Sequence, residues 1–489
     1  MIRMLEILQQ SGFKKGKFNM LQLIGEYIGI VFGSFITIYM VLVISFYSVI
    51  LLLSLLQLRR EYKLDKEQAY DEYLNDLYTK PISIIVPAYN EEAGLIQSVR
   101  SLLGINYPTY EIIVVNDGST DNSLNKMIRH YEMKEIKKVI RKHVETKNIK
   151  GIYQSSTLPN LYLIDKENGG KADALNVGLN FSHYPYICSL DGDSVLERDA
   201  FLKVMKPIML SNEDVIASGG SVRIANGCKI SNGNLLEVGL SKHPLVVMQI
   251  IEYLRAFLMG RIGLSRHNLL LIVSGAFGVF SKSWVAEAGG YKTTTVGEDM
   301  ELVVRLHRLI KEKGVKKKIV YVPDPVCWTE VPEETKFLRR QRRRWHRGLF
   351  ESLWAHRKLA FNPKYGSIGM ISFPYFWIVE FFGPIIELSG YIYVLCSLFF
   401  GGIYLEFAII IFLLSCLYGS LFSMASVLLE EWSLRKYPKV SHIVKLFLYS
   451  MTETLWYRPL TVFWRCEGIW QIIVGEKGWG EMKRKGVSE

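Results

Sequence analysis

Apolar residues are spread unevenly along this chain, and their spacing predicts its elements. Positions from about Ile28 to Leu58 are almost wholly apolar and stop at Arg59-Arg60. That run exceeds the roughly 20 residues needed to cross hydrocarbon but is too short for two crossings and a turn, so it predicts one tilted helix. A second apolar block, Ile371–Phe400, meets Gly401-Gly402, and a third runs Ile403–Leu429. They predict a helical hairpin across a membrane, its first arm bent at Pro384. The segment Ile443–Val474 is aromatic but carries Glu453, Arg458, Arg465 and Glu467, a mixture that predicts helices lying at an interface.

Between the apolar ends lies a polar block with a different rhythm. Ile82–Val86, Glu111–Asn116, Leu161–Asp165 and Tyr186–Asp191 are short β-rich runs, and helical patterns Glu91–Leu103 and Lys171–Phe181 lie between them. Such alternation predicts right-handed crossovers and a mainly parallel sheet from Pro81 to about Pro325. A very basic amphipathic helix is predicted over Thr335–Leu359, with Phe337, Leu338, Trp345, Leu349 and Phe350 as its apolar positions. The predicted units are therefore 1–62 with one span, 63–334 as the α/β domain, 335–365 as the basic helix, 366–430 as the hairpin, and 431–489 as interfacial helices with a basic tail.

Composition agrees with this division. Hydrophobic residues make up 49% of the 489 residues, yet 22% are charged and the net charge is +12. No nucleic-acid motif accompanies that charge, so nucleic acid is not an expected partner. Basic flanks of membrane spans and an anionic substrate account for it better. The cluster after the first span places its end in the cytoplasm, although Lys14, Lys15 and Lys17 pull the other way, so the orientation rests partly on the α/β domain that follows. The six cysteines have no metal-ligand spacing and are expected as reduced, packed thiols. The first twenty residues lack a continuous apolar core ending in small residues, so no secretory signal is expected.

The candidate chemistry sits at predicted strand ends, where sheets of this kind bind ligands. In Asp191-Gly192-Asp193 two carboxylates two apart point the same way, and glycine permits a close turn. Hard oxygens of this sort suit Mg²⁺ or Mn²⁺ beside a diphosphate, although Asp-Gly-Asp is also an ordinary turn. Asp117, in Asn116-Asp117-Gly118-Ser119, is placed to accept from a ribose hydroxyl or a base N–H, or to cap a helix. Lys171 and Asp173 follow Gly169-Gly170, a glycine turn opening a helix, which suits an anionic ligand as well as a solvated helix start. Pro87, Tyr89 and Glu91, in Pro87-Ala88-Tyr89-Asn90-Glu91-Glu92, put backbone beside a nucleotide or simply form a strand exit. Ser274 and Gly275 offer a small-residue floor for an acceptor, or packing.

Gly297-Glu298-Asp299 opens a predicted helix. Its acids are either dipole partners or, for Asp299, a base beside an attacking hydroxyl. On the basic helix Gln341, Arg344 and Trp345 fall at i, i+3 and i+4, one face offering an amide, a guanidinium and a flat ring. Arg342, Arg343, Arg347 and Lys336 are then expected to face lipid. Glu380 and Glu387, seven apart in the hairpin's first arm, either line a polar path or sit at the interface.

Taken in chain order, the five motifs Pro87–Glu92, Asn116–Ser119, Asp191–Asp193, Gly297–Asp299 and Gln341–Trp345 resemble those of the membrane-embedded, processive family 2 glycosyltransferases, a group that includes cellulose, chitin, hyaluronan and poly-N-acetylglucosamine synthases. The resemblance covers about residues 80–350. It implies an α/β domain of the GT-A type inserted between about three transmembrane helices. It also implies a UDP-sugar donor that is metal-bound and an inverting, processive transfer to a β-linked exopolysaccharide, with translocation. By the same resemblance Asp117 contacts the uridine, Asp191 and Asp193 handle diphosphate and metal, and Asp299 is the catalytic base. Gln341 and Arg344 then hold the diphosphate, while Glu298, Trp345, Ser274 and Gly275 face the acceptor. The implied home is the cytoplasmic membrane, with the catalytic domain in the cytoplasm and with an accessory export subunit or a second copy as further partners. Gly297 stands where cellulose-type enzymes usually have Thr, no later segment resembles a cyclic-dinucleotide-binding domain, and the membrane part is small. These departures point to the compact bacterial exopolysaccharide synthases. Transfer of one sugar to a lipid carrier, or an inactive UDP-sugar-binding scaffold, are the alternatives.

Overall fold

The computed structural model describes residues 20–67, 79–192, 194–231, 233–400, 405–437 and 439–475. The first apolar run lies inside one long helix, α1 (Met20–Glu67). Its stretch Ile30–Arg59 is long and apolar enough to cross a bilayer. Ile38, Leu42 and Val49 on it are exposed, an apolar surface that water would penalise and hydrocarbon would not.

The polar block opens with β1 (Ile82–Ala88), α2 (Leu95–Leu103), β2 (Tyr110–Asn116) and α3 (Ser123–His130). It continues through β3 (Met133–Glu135), β4 (Ile149–Ser155), β5 (Leu161–Lys166), α4 (Lys171–Phe181), β6 (Tyr186–Leu190) and β7 (Val195–Leu196). Then come α5 (Ala200–Leu210), β8 (Val215–Ile224), a small hairpin of β9 (Lys229–Ser231) and β10 (Asn234–Glu237), and α6 (Pro244–Leu254). The block closes with β11 (Phe277–Ser281), α7 (Glu298–Glu312) and β12 (Lys318–Thr329). Ten strands form one sheet in the order β3-β4-β5-β2-β1-β6-β11-β8-β12-β7.

The four predicted strands are all present and run parallel to their neighbours among themselves. The sheet as a whole is mixed rather than mainly parallel, because β11 enters antiparallel between β6 and β8, and β3, β4 and β7 also pair antiparallel. β1 and β2 are buried almost throughout because helices cover both faces, so they read as continuous apolar runs. Helix α4 comes so close to β1 that a Cβ on Gly178 would overlap Ile85, which explains a glycine inside a helix. Helix α2 starts at Leu95, four residues later than predicted, because Glu91–Gly94 form a turn instead. The chain passes from β1 to β2 on one side and returns to β6 on the other, so the carboxyl ends of these strands flank a crevice.

Beyond the sheet runs α8 (Thr335–Ala355), shorter than predicted, with one 3₁₀ turn at Arg357–Leu359. The hairpin follows as α9 (Gly383–Phe400) and α10 (Leu405–Ser433), and then α11 (Val440–Thr452) and α12 (Arg458–Val474). Ile368–Cys396 and Phe412–Ser433 are also long and apolar enough to span, so the described chain holds three such stretches. The first arm is interrupted at Phe382 beside Pro384. Proline has no N–H to give to the Glu380 carbonyl, and the Arg465 guanidinium donates to that carbonyl instead. Gly401-Gly402 and the basic tail from Gly478 lie outside the described residues.

Candidate active site

Three loops meet at the crevice. Asn90 adopts φ +55, a left-handed conformation that asparagine tolerates. Its Oδ1 accepts from the Thr120 N–H at 2.8 Å and its own N–H donates to Ser119 Oγ at 3.0 Å. The loop after β1 is thereby strapped to the loop after β2. The loop after β6 lies against the first: a Cβ on Gly192 would sit 3.3 Å from the Pro87 carbonyl and 3.6 Å from Glu91 Cγ. Pro87, Glu91 and Asp191-Gly192 therefore line one cleft, with Tyr89 half exposed at its mouth. Asp193 lies outside the described residues.

Asp117 and Asp173 are held together beneath this cleft. The Asp117 carboxylate, 3% exposed, accepts from the N–H groups of Gly169 at 2.9 Å and Gly170 at 2.7 Å. Lys166, fully buried, pairs with Asp117 and also with Asp173 at 2.7 Å. The carboxylate of Asp117 thus shapes the glycine turn from below, and the turn aims α4 and Lys171 at the cleft. Lys166 was not singled out from the sequence, because its two partners lie 49 residues before and seven residues after it.

Lys171 is the hub of a second charged cluster in the cleft. Its Nζ lies 2.6 Å from Asp191 Oδ1 and 3.5 Å from Glu298 Oε1. A Cβ on Gly275 would sit 3.2 Å from that Nζ and 3.4 Å from Asp299. The Gly275 N–H donates to Asp299 Oδ2 at 3.1 Å, and Ser274 precedes it in the same turn. So Lys171, Asp191, Glu298, Asp299 and Gly275, from four separate segments, share one wall. Burial works against the Lys171 ammonium, but Asp191 and Glu298 outweigh it and hold its pKa above the ordinary lysine value. Burial pushes the Glu298 carboxyl up, with Lys171 opposing and Asp299 adding to the rise.

Asp191 Oδ2 has no partner among the described residues and offers a hard oxygen to a divalent cation. No group of three metal-ligating side chains comes together there among the described residues. A hard divalent cation is commonly held by one or two carboxylates, with a substrate's diphosphate and water completing its shell.

Helix α8 docks directly on the loop that carries the acids. A Cβ on Gly297 would lie 3.0 Å from the Gly348 backbone, and the reverse holds for Gly348. Glu351 accepts from the Val296 N–H at 2.8 Å and the Thr295 hydroxyl at 2.9 Å. Gly297, the departure noted above, is thus explained by the approach of α8. Trp345 is 43% exposed, with Tyr253 at 6.4 Å between ring centroids. Two expected lipid-facing arginines point elsewhere. Arg342 is 3% exposed, pairs with Glu252 at 2.6 Å and lies 4.4 Å from the Trp345 ring centroid, while Arg347 pairs with Glu351. A buried guanidinium needs a partner, and Glu252 lies 90 residues away in sequence. Lys336 stays exposed, and Gln341 and Arg344 are half-buried on the same helix.

Below α8, a cavity of about 390 Å³ runs among the apolar helices. Glu380 and Glu387 line it rather than sitting at an interface; Glu387 pairs with Arg458 at 2.6 Å and Glu380 accepts from Tyr375 at 2.6 Å. Arg255 pairs with Glu453 at 2.8 Å on the same wall. Arg261 also lines it, its Nη1 buried without a hydrogen-bond partner among the described residues. Charged side chains thus line a cavity inside an apolar bundle.

A mixed sheet with acidic loops gathered at the carboxyl ends of its parallel strands, capped by a basic helix, defines the GT-A class of glycosyltransferase. The chain matches the family described as glycosyltransferase like family 2 over residues 80–348, more than half its length, and it belongs to that family. It is 31% identical over 275 residues to a poly-beta-1,6-N-acetyl-D-glucosamine synthase of Staphylococcus epidermidis, covering 56% of this chain and 55% of that protein. The synthase of the same name from Staphylococcus aureus strain COL is 30% identical over 274 residues, with the same coverage. The chain thus spans about half the length of the curated relatives it matches. Among solved structures, the mannosyltransferase PcManGT of Pyrobaculum calidifontis, in complex with GDP-Man and Mn²⁺, aligns with a TM-score of 0.44 at 17% identity, over 84% of this chain and 99% of that one.

Proposed function

We propose that this protein is an inverting, processive polymerase. It transfers a hexose or N-acetylhexosamine, with N-acetylglucosamine the first candidate, from a UDP-sugar to a growing β-linked exopolysaccharide at the cytoplasmic face of the membrane. The observation that carries this reading is the convergence of Asp191, Lys171 and Asp299 on one wall, with the α8 helix of Gln341, Arg344 and Trp345 docked on the Gly297 loop. Two relatives named as N-acetylglucosamine polymer synthases support the choice of sugar.

The donor's uridine enters past Tyr89 and Glu91, above the glycine turn braced by Asp117 and Asp173. Its diphosphate lies between Asp191 and the Lys171 ammonium, with Gln341 and Arg344 approaching from α8. Asp191 and Asp193 would hold a divalent cation, which supplies charge neutralisation for the departing diphosphate when bound. The acceptor's end sugar rests against Trp345 and the Ser274-Gly275 turn. Asp299 takes the proton of the acceptor hydroxyl as its oxygen bonds to the anomeric carbon; the bond from that carbon to the diphosphate breaks with its electron pair, and UDP leaves. Gly275 N–H holds Asp299 in place, and Glu298 borders the acceptor. The cavity lined by Glu380, Glu387 and Arg458 receives the lengthening chain, and the basic ends of the spans keep the domain on the cytoplasmic side.

The test is UDP release by the full chain in nanodiscs across a panel of UDP-sugars, with the product sized on a gel. One sugar yielding a high-mass polymer is the expected result. A single-sugar lipid product would replace this reading with transfer to a lipid carrier. Tight UDP binding with no release from any sugar would replace it with a sensing scaffold.

A further inference from the structure

The opposite edge of the same sheet carries a second cavity, of about 670 Å³, which the reaction above does not use. It lies at the amino ends of β1, β6 and β8 and the carboxyl end of antiparallel β11. The five residues of β6 separate it from the catalytic wall by about 17 Å. Five segments distant in sequence bring cations to it: Lys80 before β1, Arg141 and His143 between β3 and β4, His183 before β6, Lys282 after β11, and Lys317 before β12. Glu213 is the one carboxylate among the lining residues.

Three of these cations meet neutral oxygens as their hydrogen-bond partners among the described residues. Lys282 Nζ donates to the Ser182 carbonyl and Lys317 Nζ to the Glu213 carbonyl at 2.9 Å, both neutral acceptors. Lys80 Nζ approaches only the Tyr186 hydroxyl, at 3.5 Å. Burial disfavours the charged forms of Lys282 and His143; Arg141 adds to this at both, and Glu111 opposes it at Lys282. His183 pairs with that same Glu111 at 2.6 Å. Like charges gathered in a concavity repel one another, and an anion seated there would relieve the repulsion. Tyr184 and Trp284 add flat apolar surface to the lining. The volume falls in the range of small-molecule sites, well above that of a lone phosphate.

We propose that this cavity is a binding site for a phosphate-bearing small molecule of nucleotide size, its phosphates held by Arg141, Lys282 and Lys80 and its body against Trp284. The arrangement suits phosphate because a guanidinium and two ammonium groups offer charge-assisted donors from different directions. A soluble phosphate ester and a lipid headgroup share this chemistry.

The probe is pyrophosphate, titrated by calorimetry into the full chain in phosphatidylcholine nanodiscs with UDP saturating the catalytic cleft. One UDP-insensitive site is expected. The double variant Arg141→Gln/Lys282→Gln should weaken it by at least roughly tenfold, the loss of about one charged hydrogen bond, while Lys134→Gln on a remote exposed strand should leave it unchanged. UDP release by the double variant at the wild-type rate would confirm that it folds. Phosphatidylglycerol in the disc that abolishes pyrophosphate binding identifies a headgroup as occupant; undiminished binding identifies a soluble one. Absence of a UDP-insensitive site, or equal weakening by Lys134→Gln, overturns the proposal and leaves only a solvated basic face.

Discussion

The docking of α8 on the catalytic loop makes Gly348→Ala a sharp perturbation. Alanine keeps the helix and removes no charge, hydrogen bond or ligand. Its Cβ, however, would sit 3.0 Å from the Gly297 Cα and N and 3.3 Å from the Val296 carbonyl carbon. Carbon atoms rarely rest that close, so α8 and the loop must part by a few tenths of an ångström. The neighbours on both sides are backbone, which cannot swing away as a side-chain end can. Overpacking of this kind costs about 1–3 kcal/mol. Asp299 begins two residues after Gly297, and misplacing a reacting group by 1 Å costs roughly a hundredfold in rate. The expected outcome is a fall in kcat for UDP release of roughly 3- to 10-fold, while the Asp117–Lys166 network, away from α8, leaves the nucleotide side of the cleft able to bind UDP. The assay is coupled UDP release in nanodiscs, with UDP titration as the folding control. Full turnover by a variant that binds UDP normally would refute the claim that α8 sets the position of the catalytic acids.

Other outcomes follow from single contacts. Lys166→Met leaves Asp117 and Asp173 buried without their shared cation and is expected to cost about 3–5 kcal/mol, read as a large drop in Tm; an unchanged Tm contradicts the network. His307 on α7 is buried, and burial holds its pKa down to about 4 against the ordinary 6.5, its Nε2 meeting the Leu270 carbonyl at 2.8 Å. Because the folded value is the lower one, the stability it contributes is complete above pH 6.5 and is lost as pH falls from 6.5 to about 4, at about 1.4 kcal/mol per unit. Thermal unfolding at pH 7 and pH 4.5 reads this, and His307→Gln is expected to flatten the dependence; equal acid sensitivity in the variant would contradict it. Trp345→Ala is expected to shorten the product on a sizing gel while UDP release persists, and products of unchanged length would remove Trp345 from the acceptor site.

How much of this was legible in the sequence depended on the range of the interactions. β1, β2, β5 and β6 were readable because each is a short β-rich run that stops at Asn, Asp or Gly, and α4 was read to the residue. The antiparallel half was not. β8 carries Gly219-Gly220 in its middle, which reads as a turn; in the fold, a Cβ on Gly219 would press on Val273 at 2.9 Å, so the strand needs glycine there. β12 contains Pro323 and Pro325, which demote a strand by local rules, and its pairing with β8 shifts register across that stretch. At the site, Asp117 and Asp191 were visible from their places at strand ends and Asp299 from the start of its helix. Lys166, Glu252 and Arg255 were not, because each has a partner far away in the chain. The same reason hid the burial of Arg342, whose helix looked like a basic face for lipid until Glu252 supplied its counter-charge.

The most direct measurement of the central claim is UDP release by Asp299→Asn beside UDP binding by the same variant. Asparagine keeps the side chain's size and its acceptance of the Gly275 N–H but cannot take a proton. UDP binding close to wild type with turnover abolished is the predicted result. Turnover equal to wild type would show that the acceptor hydroxyl loses its proton elsewhere.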